Sequence, residues 1–117
     1  MQLKNNIIAI ASGKGGVGKT WLSVTLAHLC ARSGRQVLLF DGDIGLANID
    51  VQLGLTPKKD LNSVLNGKIK LEEAITKYSE GGFDVIAGRS GSTSLASLEP
   101  EKLKAIGNVL QELAKDY

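Results

Sequence analysis

The apolar positions of this 117-residue chain follow two periodicities, and the alternation between them predicts a strand, helix, strand order. Ile7, Ile8, Ala9, Ile10 and Ala11 form an unbroken apolar run rich in β-branched side chains, the pattern of a parallel strand covered on both faces. Leu22, Leu26, Leu29 and Cys30 then recur at helical spacing, flanked by Val24, Ala27 and Ala31. They predict an amphipathic helix from about 19 to 33, closed by Gly34. Val37, Leu38, Leu39 and Phe40 predict a second buried strand over 36–40, and Phe83, Val85, Ile86 and Ala87 a third over 83–87, entered through Gly81 and Gly82. Pro100 fits the first turn of a last helix with Leu103, Ile106, Leu110 and Leu113 as its core face, although Gly107 weakens it. Between the second and third strands the pattern is shorter. It predicts a short helix or turn within 47–55, a helix capped by Asp60 and stopped by Gly67, and another over 71–78 with Glu72 and Glu73 near its positive end. No internal repeat is present.

This order puts residues 12–20, Ser-Gly-Lys-Gly-Gly-Val-Gly-Lys-Thr, where a strand ends and a helix begins. The first N–H groups of a helix have no intrahelical partners and point, with the positive end of the dipole, at any bound anion. The stretch therefore reads as a phosphate cradle. Asp41 and Asp43 emerge at the carboxyl end of the second strand, the edge at which open parallel sheets bind ligands, so they share that crevice.

Two cofactor classes fit the glycines. Gly13, Gly15 and Gly18 satisfy the dinucleotide pattern G-x-G-x-x-G, with Asp41 as the acid after the next strand. Gly13 to Thr20 also satisfies G-x-x-x-x-G-K-[ST]. A dinucleotide gives no purpose to Lys19 and Thr20, so the nucleoside triphosphate reading is preferred. Gly13, Lys14, Gly15, Gly16, Val17 and Gly18 then supply the backbone cradle, Lys19 neutralises the β and γ phosphates, and the Thr20 hydroxyl binds Mg²⁺. Asp43, or in its place Asp41, orients the attacking water or holds the outer shell of the metal. In the simpler alternative either aspartate only caps its turn.

Composition narrows the partners. A net charge of +2 without a basic stripe gives no sign of nucleic-acid binding. The single cysteine, Cys30, excludes an intrachain disulfide and reads as a small core residue, while no apolar run reaches the length of a membrane span. A cytoplasmic location follows as the expectation. His28 reads as a packing or surface residue rather than a catalyst.

Lys14 is the departure from a general cradle, which requires no lysine after its first glycine. The run from Lys14 to Thr20 resembles the deviant Walker A motif of the MinD/ParA ATPases, in which the early lysine reaches across a dimer interface to the ATP of the other subunit. That resemblance implies an α/β, three-layer P-loop NTPase fold with a mostly parallel sheet. It also implies ATP and Mg²⁺ as cofactors, an ATP-dependent homodimer, and Lys14, Lys19 and Asp43 as the residues of hydrolysis. The segment from Asp41 through Ala47 and Asn48 to Leu55 is similar to that of the MinD-like flagellar number regulators of the FlhG or FleN type, as are residues 83–91 with Leu95 and Ala96. Regulation of flagellar number or placement is implied, with an FlhF-type GTPase and flagellar components as partners. Membrane contact would come only through a segment outside these residues, giving a cytoplasmic protein peripheral at the inner face of the membrane.

Departures and competitors sharpen these expectations. Trp21 stands where the family has a small or polar residue; it either packs near the nucleotide or the dimer partner or fills ordinary space. The chain reads as the N-terminal part, residues 1–117, of a single P-loop ATPase domain, with the Walker B strand and later strands lying beyond Tyr117. Weak ATP binding and little hydrolysis by this portion follow. An amidoligase of the cobyrinic acid a,c-diamide synthase type would need a glutaminase nucleophile, a ParA-type segregation ATPase a basic DNA surface, and a nitrogenase iron protein two cluster cysteines; the chain shows none of these.

Overall fold

In the computed structural model of the chain, residues 7–11, 18–42, 53–54, 59, 63–64, 66–87 and 99–117 are described. Helix α1 spans Lys19–Arg32 and ends as Gly34 predicts. Gly34 takes φ +87°, its N–H donates to the Ala31 carbonyl, and the Arg35 N–H donates to the Cys30 carbonyl. These paired bonds satisfy the last carbonyls of the helix in a Schellman turn, and the positive φ is what favours glycine there. The chain then enters β1, Leu38–Phe40, shorter than the expected 36–40, although the Asp84 N–H donates to the Val37 carbonyl and extends the ladder by a bond.

The sheet has three strands in the order β1, β3, β2, where β2 is Ile75–Tyr78 and β3 is Phe83–Ile86. β1 and β3 are parallel, with Leu38, Leu39 and Phe40 opposite Asp84, Val85 and Ile86. β2 and β3 form an antiparallel hairpin in which Tyr78 lies opposite Phe83. The sheet is thus mixed. The helix expected over 71–78 is replaced by a 3₁₀ turn, Leu71–Ala74, followed by β2. Ile75, Thr76 and Tyr78 are β-branched or aromatic, and the Gly81–Gly82 turn folds them directly onto β3, so cross-strand pairing overrides the helical preference of Leu71, Glu72, Glu73 and Ala74.

Alternating side chains of the central strand supply both halves of the core. Phe83, Val85 and Ala87 pack with Val24 and Ala27 of α1, and Leu39 joins them from β1. Ile86 faces the opposite way, with Leu71 and Ala74, against helix α2, Pro100–Leu113. This gives the helix, sheet, helix layering of a three-layer α/β fold. Ile106, Leu110 and Leu113 of α2 face the core as expected; Val109 joins them, whereas Leu103 is exposed. Pro100 occupies the first turn, and Gly107 does not interrupt the helix.

The first predicted strand is not formed. Residues 7–11 carry no strand, and Ile8 is 73% exposed. Ile7, Ile8, Ala9 and Ile10 instead line a groove of about 1040 Å³ together with β1 and residues of α1 and α2. An isolated apolar run has no ladder partner, and strand structure needs one. Of the intervening helices, Ser63 and Val64 are helical and Gly67, at φ +73°, stops that turn, while Asp60 and most of 47–55 lie outside the described residues.

Candidate functional site

The short connection from α1 to β1 makes the two run in opposite directions, so the amino-terminal end of the helix lies at the carboxyl end of the strand. Lys19 and Thr20 form the first turn of α1 and are half-buried. Gly18 precedes them as the N-cap in the left-handed region, φ 86° and ψ 14°, and its carbonyl accepts the first helical bond from the Leu22 N–H at 2.9 Å. A side chain at this φ would be strained, which accounts for glycine here.

The N-cap, Gly18, has no side chain with which to cap α1, and the first turn holds no acidic residue. A helix that starts on glycine without an acid in its first turn is an arrangement suited to an anionic ligand. The Ser23 hydroxyl donates to the Lys19 carbonyl at 2.8 Å and fastens the turn that carries Lys19. At the end of β1, Asp41 is 7% exposed, and its N–H donates to the Ile86 carbonyl at 3.0 Å, continuing the parallel ladder beyond the strand. Gly42 follows it, exposed, at the rim of the groove.

Of the residues picked from the sequence, Gly18, Lys19, Thr20, Trp21 and Asp41 are thus described. The order of elements brings Gly18, Lys19 and Thr20 to the end of the molecule where Asp41 leaves the sheet. Gly13, Lys14, Gly15, Gly16, Val17 and Asp43 lie outside the described residues. Trp21 is 64% exposed and so is not core filling. Among the described residues, no group of three or more His, Cys, Asp or Glu side chains is gathered to hold a metal. A magnesium ion needs no such cage, since it is held by few protein oxygens together with phosphates and water.

Two contacts had no signal in local sequence. His28 packs edge-on to Phe83, with ring centres 5.1 Å apart, and to Tyr78 at 5.9 Å, tying the middle of α1 to the β2–β3 hairpin. The Tyr117 hydroxyl donates to Asp84 Oδ2 at 2.7 Å. Asp84 pairs with Leu38, the first residue of β1, so this bond lies at the end of the sheet away from Asp41. Burial, then the bond to Asp84 and the negative charges of Asp84 and Asp116, hold the Tyr117 hydroxyl well above its ordinary pKa. Cys30 is half-buried and lines the groove. Among the described residues, no helix is long and apolar enough to cross a membrane.

Comparison with known proteins agrees with this geometry. Residues 8–117 match the family CbiA, the CobQ/CobB/MinD/ParA nucleotide binding domain. The antiactivator FleN of Pseudomonas aeruginosa is 47% identical over 94 residues, covering 80% of this chain and 33% of FleN. The flagellum site-determining protein YlxH of Helicobacter pylori is 47% identical over 88 residues, covering 75% of this chain and 30% of YlxH. Among solved structures, the septum site-determining protein MinD of Pyrococcus horikoshii, complexed with Mg-ADP, superposes with a TM-score of 0.72 at 33% identity, over 86% of this chain and 42% of that one. The chain spans about a third of the length of these curated relatives.

Proposed function

Because the chain belongs to the CobQ/CobB/MinD/ParA nucleotide-binding family, we propose that it is the ATP-binding part of a MinD-like switch that dimerises with ATP and is reset by hydrolysis to ADP and phosphate. One observation carries this reading: α1 begins on a left-handed glycine, with Lys19 and Thr20 in a first turn that has neither a side-chain cap nor an acid.

The roles follow from that arrangement. The leading N–H groups of α1 hold phosphate oxygens, and the Lys19 ammonium neutralises charge at the β and γ positions. The Thr20 hydroxyl is the ligand offered to Mg²⁺, which when bound neutralises charge developing on the phosphate oxygens. Asp41 or Asp43 accepts hydrogen bonds from water in the outer shell of the metal or in line with the γ phosphate. Lys14 acts on the nucleotide of a second subunit, in the manner of an arginine finger. The likeness to the antiactivator FleN and to a flagellum site-determining protein supports regulation of flagellar number or placement. An FlhF-type GTPase is the partner we propose for that role. Contact with the membrane would be peripheral and made by other parts of the protein.

The decisive experiment is calorimetric titration of the full-length protein with Mg-ATP, alongside its sedimentation with and without ATP. Lys19→Ala is expected to weaken nucleotide binding by at least roughly tenfold, the loss of one charge-assisted contact. Lys14→Ala should still bind ATP but lose ATP-dependent association. Unchanged affinity in Lys19→Ala would rule out the cradle, and unchanged association in Lys14→Ala would rule out its action across the interface.

A further inference from the structure

We propose that Ser23 is a positioning residue for the phosphate cradle, acting through the peptide group that joins Lys19 to Thr20; the inference rests on the nucleotide reading above. The Ser23 hydroxyl donates to the Lys19 carbonyl at 2.8 Å, and Ser23 and Thr20 are both half-buried. A trans peptide is planar, so the Lys19 carbonyl and the Thr20 N–H belong to one rigid unit and point in opposite directions. Thr20 is the second residue of α1, so no carbonyl four residues back within the helix faces its N–H, which points toward the amino-terminal end. A bond that fixes the oxygen of this unit therefore also fixes the direction of the N–H. Donation to the oxygen polarises the unit as well, and strengthens the N–H as a donor to an anion by roughly 10–30%.

This bond is not one that the helix needs. In a regular α-helix the Lys19 carbonyl already accepts from the Ser23 N–H, so the hydroxyl is a second donor on the same oxygen. Ser33 makes a similar bond at the other end of α1, where its hydroxyl donates to the Cys30 carbonyl at 2.7 Å. There the last carbonyls have run out of helical donors, and the bond is ordinary capping. Back-bonding of a serine to the carbonyl four residues earlier adds no stability to a helix interior. At Ser23 it falls on the one carbonyl whose peptide ends in the Thr20 N–H.

Two substitutions of similar shape isolate the hydroxyl: Ser23→Thr keeps it, and Ser23→Val puts a methyl group in its place. In the full-length protein, calorimetric titration with Mg-ATP is expected to give a roughly threefold weaker affinity for Ser23→Val than for Ser23→Thr, while their urea midpoints coincide. Ser23→Ala adds no bulk and favours the helix. It should bind roughly threefold more weakly than the parent, which keeps the comparison open if the branched variants do not fold. With isotope-labelled threonine in the nucleotide-free protein, the Thr20 amide nitrogen should resonate upfield in Ser23→Val and Ser23→Ala, because donation to a carbonyl deshields the nitrogen of the same peptide. Equal affinities with and without the hydroxyl, or an unmoved Thr20 signal, overturn the proposal. An affinity loss accompanied by a lowered urea midpoint also overturns it, and assigns Ser23 to the fold alone. A parent protein that binds no Mg-ATP refutes the nucleotide reading itself and takes this inference with it, a failure visible before any variant is compared.

Discussion

Residues 7–11 and 83–87 are two five-residue stretches, apolar throughout in the first and at every position but Asp84 in the second, yet the first is largely exposed without a strand and the second is the centre of the core. Ile7, Ile8 and Ile10 are, if anything, the more β-prone. The difference lies in neighbours. β3 has β1 bonded on one side and β2 on the other, with α1 and α2 over its two faces. Residues 7–11 have no ladder, and the groove they line stays open. An apolar run states that a segment will be buried once partners exist, and the partners decide whether it becomes a strand.

The largest expected effect tests that contrast directly. Ile86 is fully buried, and Ile86→Ala should lower stability by about 3 kcal/mol in urea unfolding. A loss below about 1 kcal/mol would show that the α2 side of the core is loosely packed. Gly34→Ala places a Cβ on a left-handed residue that closes α1 and should cost about 1 to 2 kcal/mol in the same measurement, weakening the helix that covers β3. Tyr117→Phe removes the hydroxyl bond to Asp84 that anchors the end of the chain to β3, with an expected loss of about 1 kcal/mol. Its pH dependence has a definite sign. The folded state raises the pKa of Tyr117, so the unfolded chain loses the proton first. The stabilisation is whole below the ordinary tyrosine value of 10.0 and is lost as pH rises from there toward the folded value. Thermal melts of the parent should therefore fall above that pH more steeply than those of Tyr117→Phe, and parallel curves would remove the bond from the account. The smallest effect belongs to the other run: Ile8→Ala should change stability by less than about 0.5 kcal/mol, and a loss as large as that of Ile86→Ala would mean that residues 7–11 are packed as a strand in solution.

Much of the architecture was legible in the sequence because the signals were local. The end of α1 could be read from Gly34, the start of α2 from Pro100, and β3 from a buried run after a glycine turn. Leu71 to Tyr78 was misread for an equally local reason. Glu72 and Glu73 look like the acidic first turn of a helix, but Ile75 to Tyr78 are claimed by β3, which follows after a tight turn. At the candidate site, the sequence already placed Gly18, Lys19 and Thr20 at the start of a helix, because a glycine followed by a helical apolar pattern is a local signal. The Asp84–Tyr117 bond was not legible, since its partners are 33 residues apart and neither has a pattern of its own.

By itself the sequence determined the motif ahead of α1, a glycine-rich stretch ending in Lys19 and Thr20, because that pattern is complete within nine consecutive residues. It also determined which side chains of β3 alternate, and hence that two layers must cover it. Tertiary structure alone decided which apolar runs became strands, that β2 pairs antiparallel beside a parallel pair, and that one face of α1 stays exposed from Trp21 to Leu29. Those outcomes depend on partners brought together from distant parts of the chain, and hydrogen bonding and burial are properties of pairs rather than of single residues.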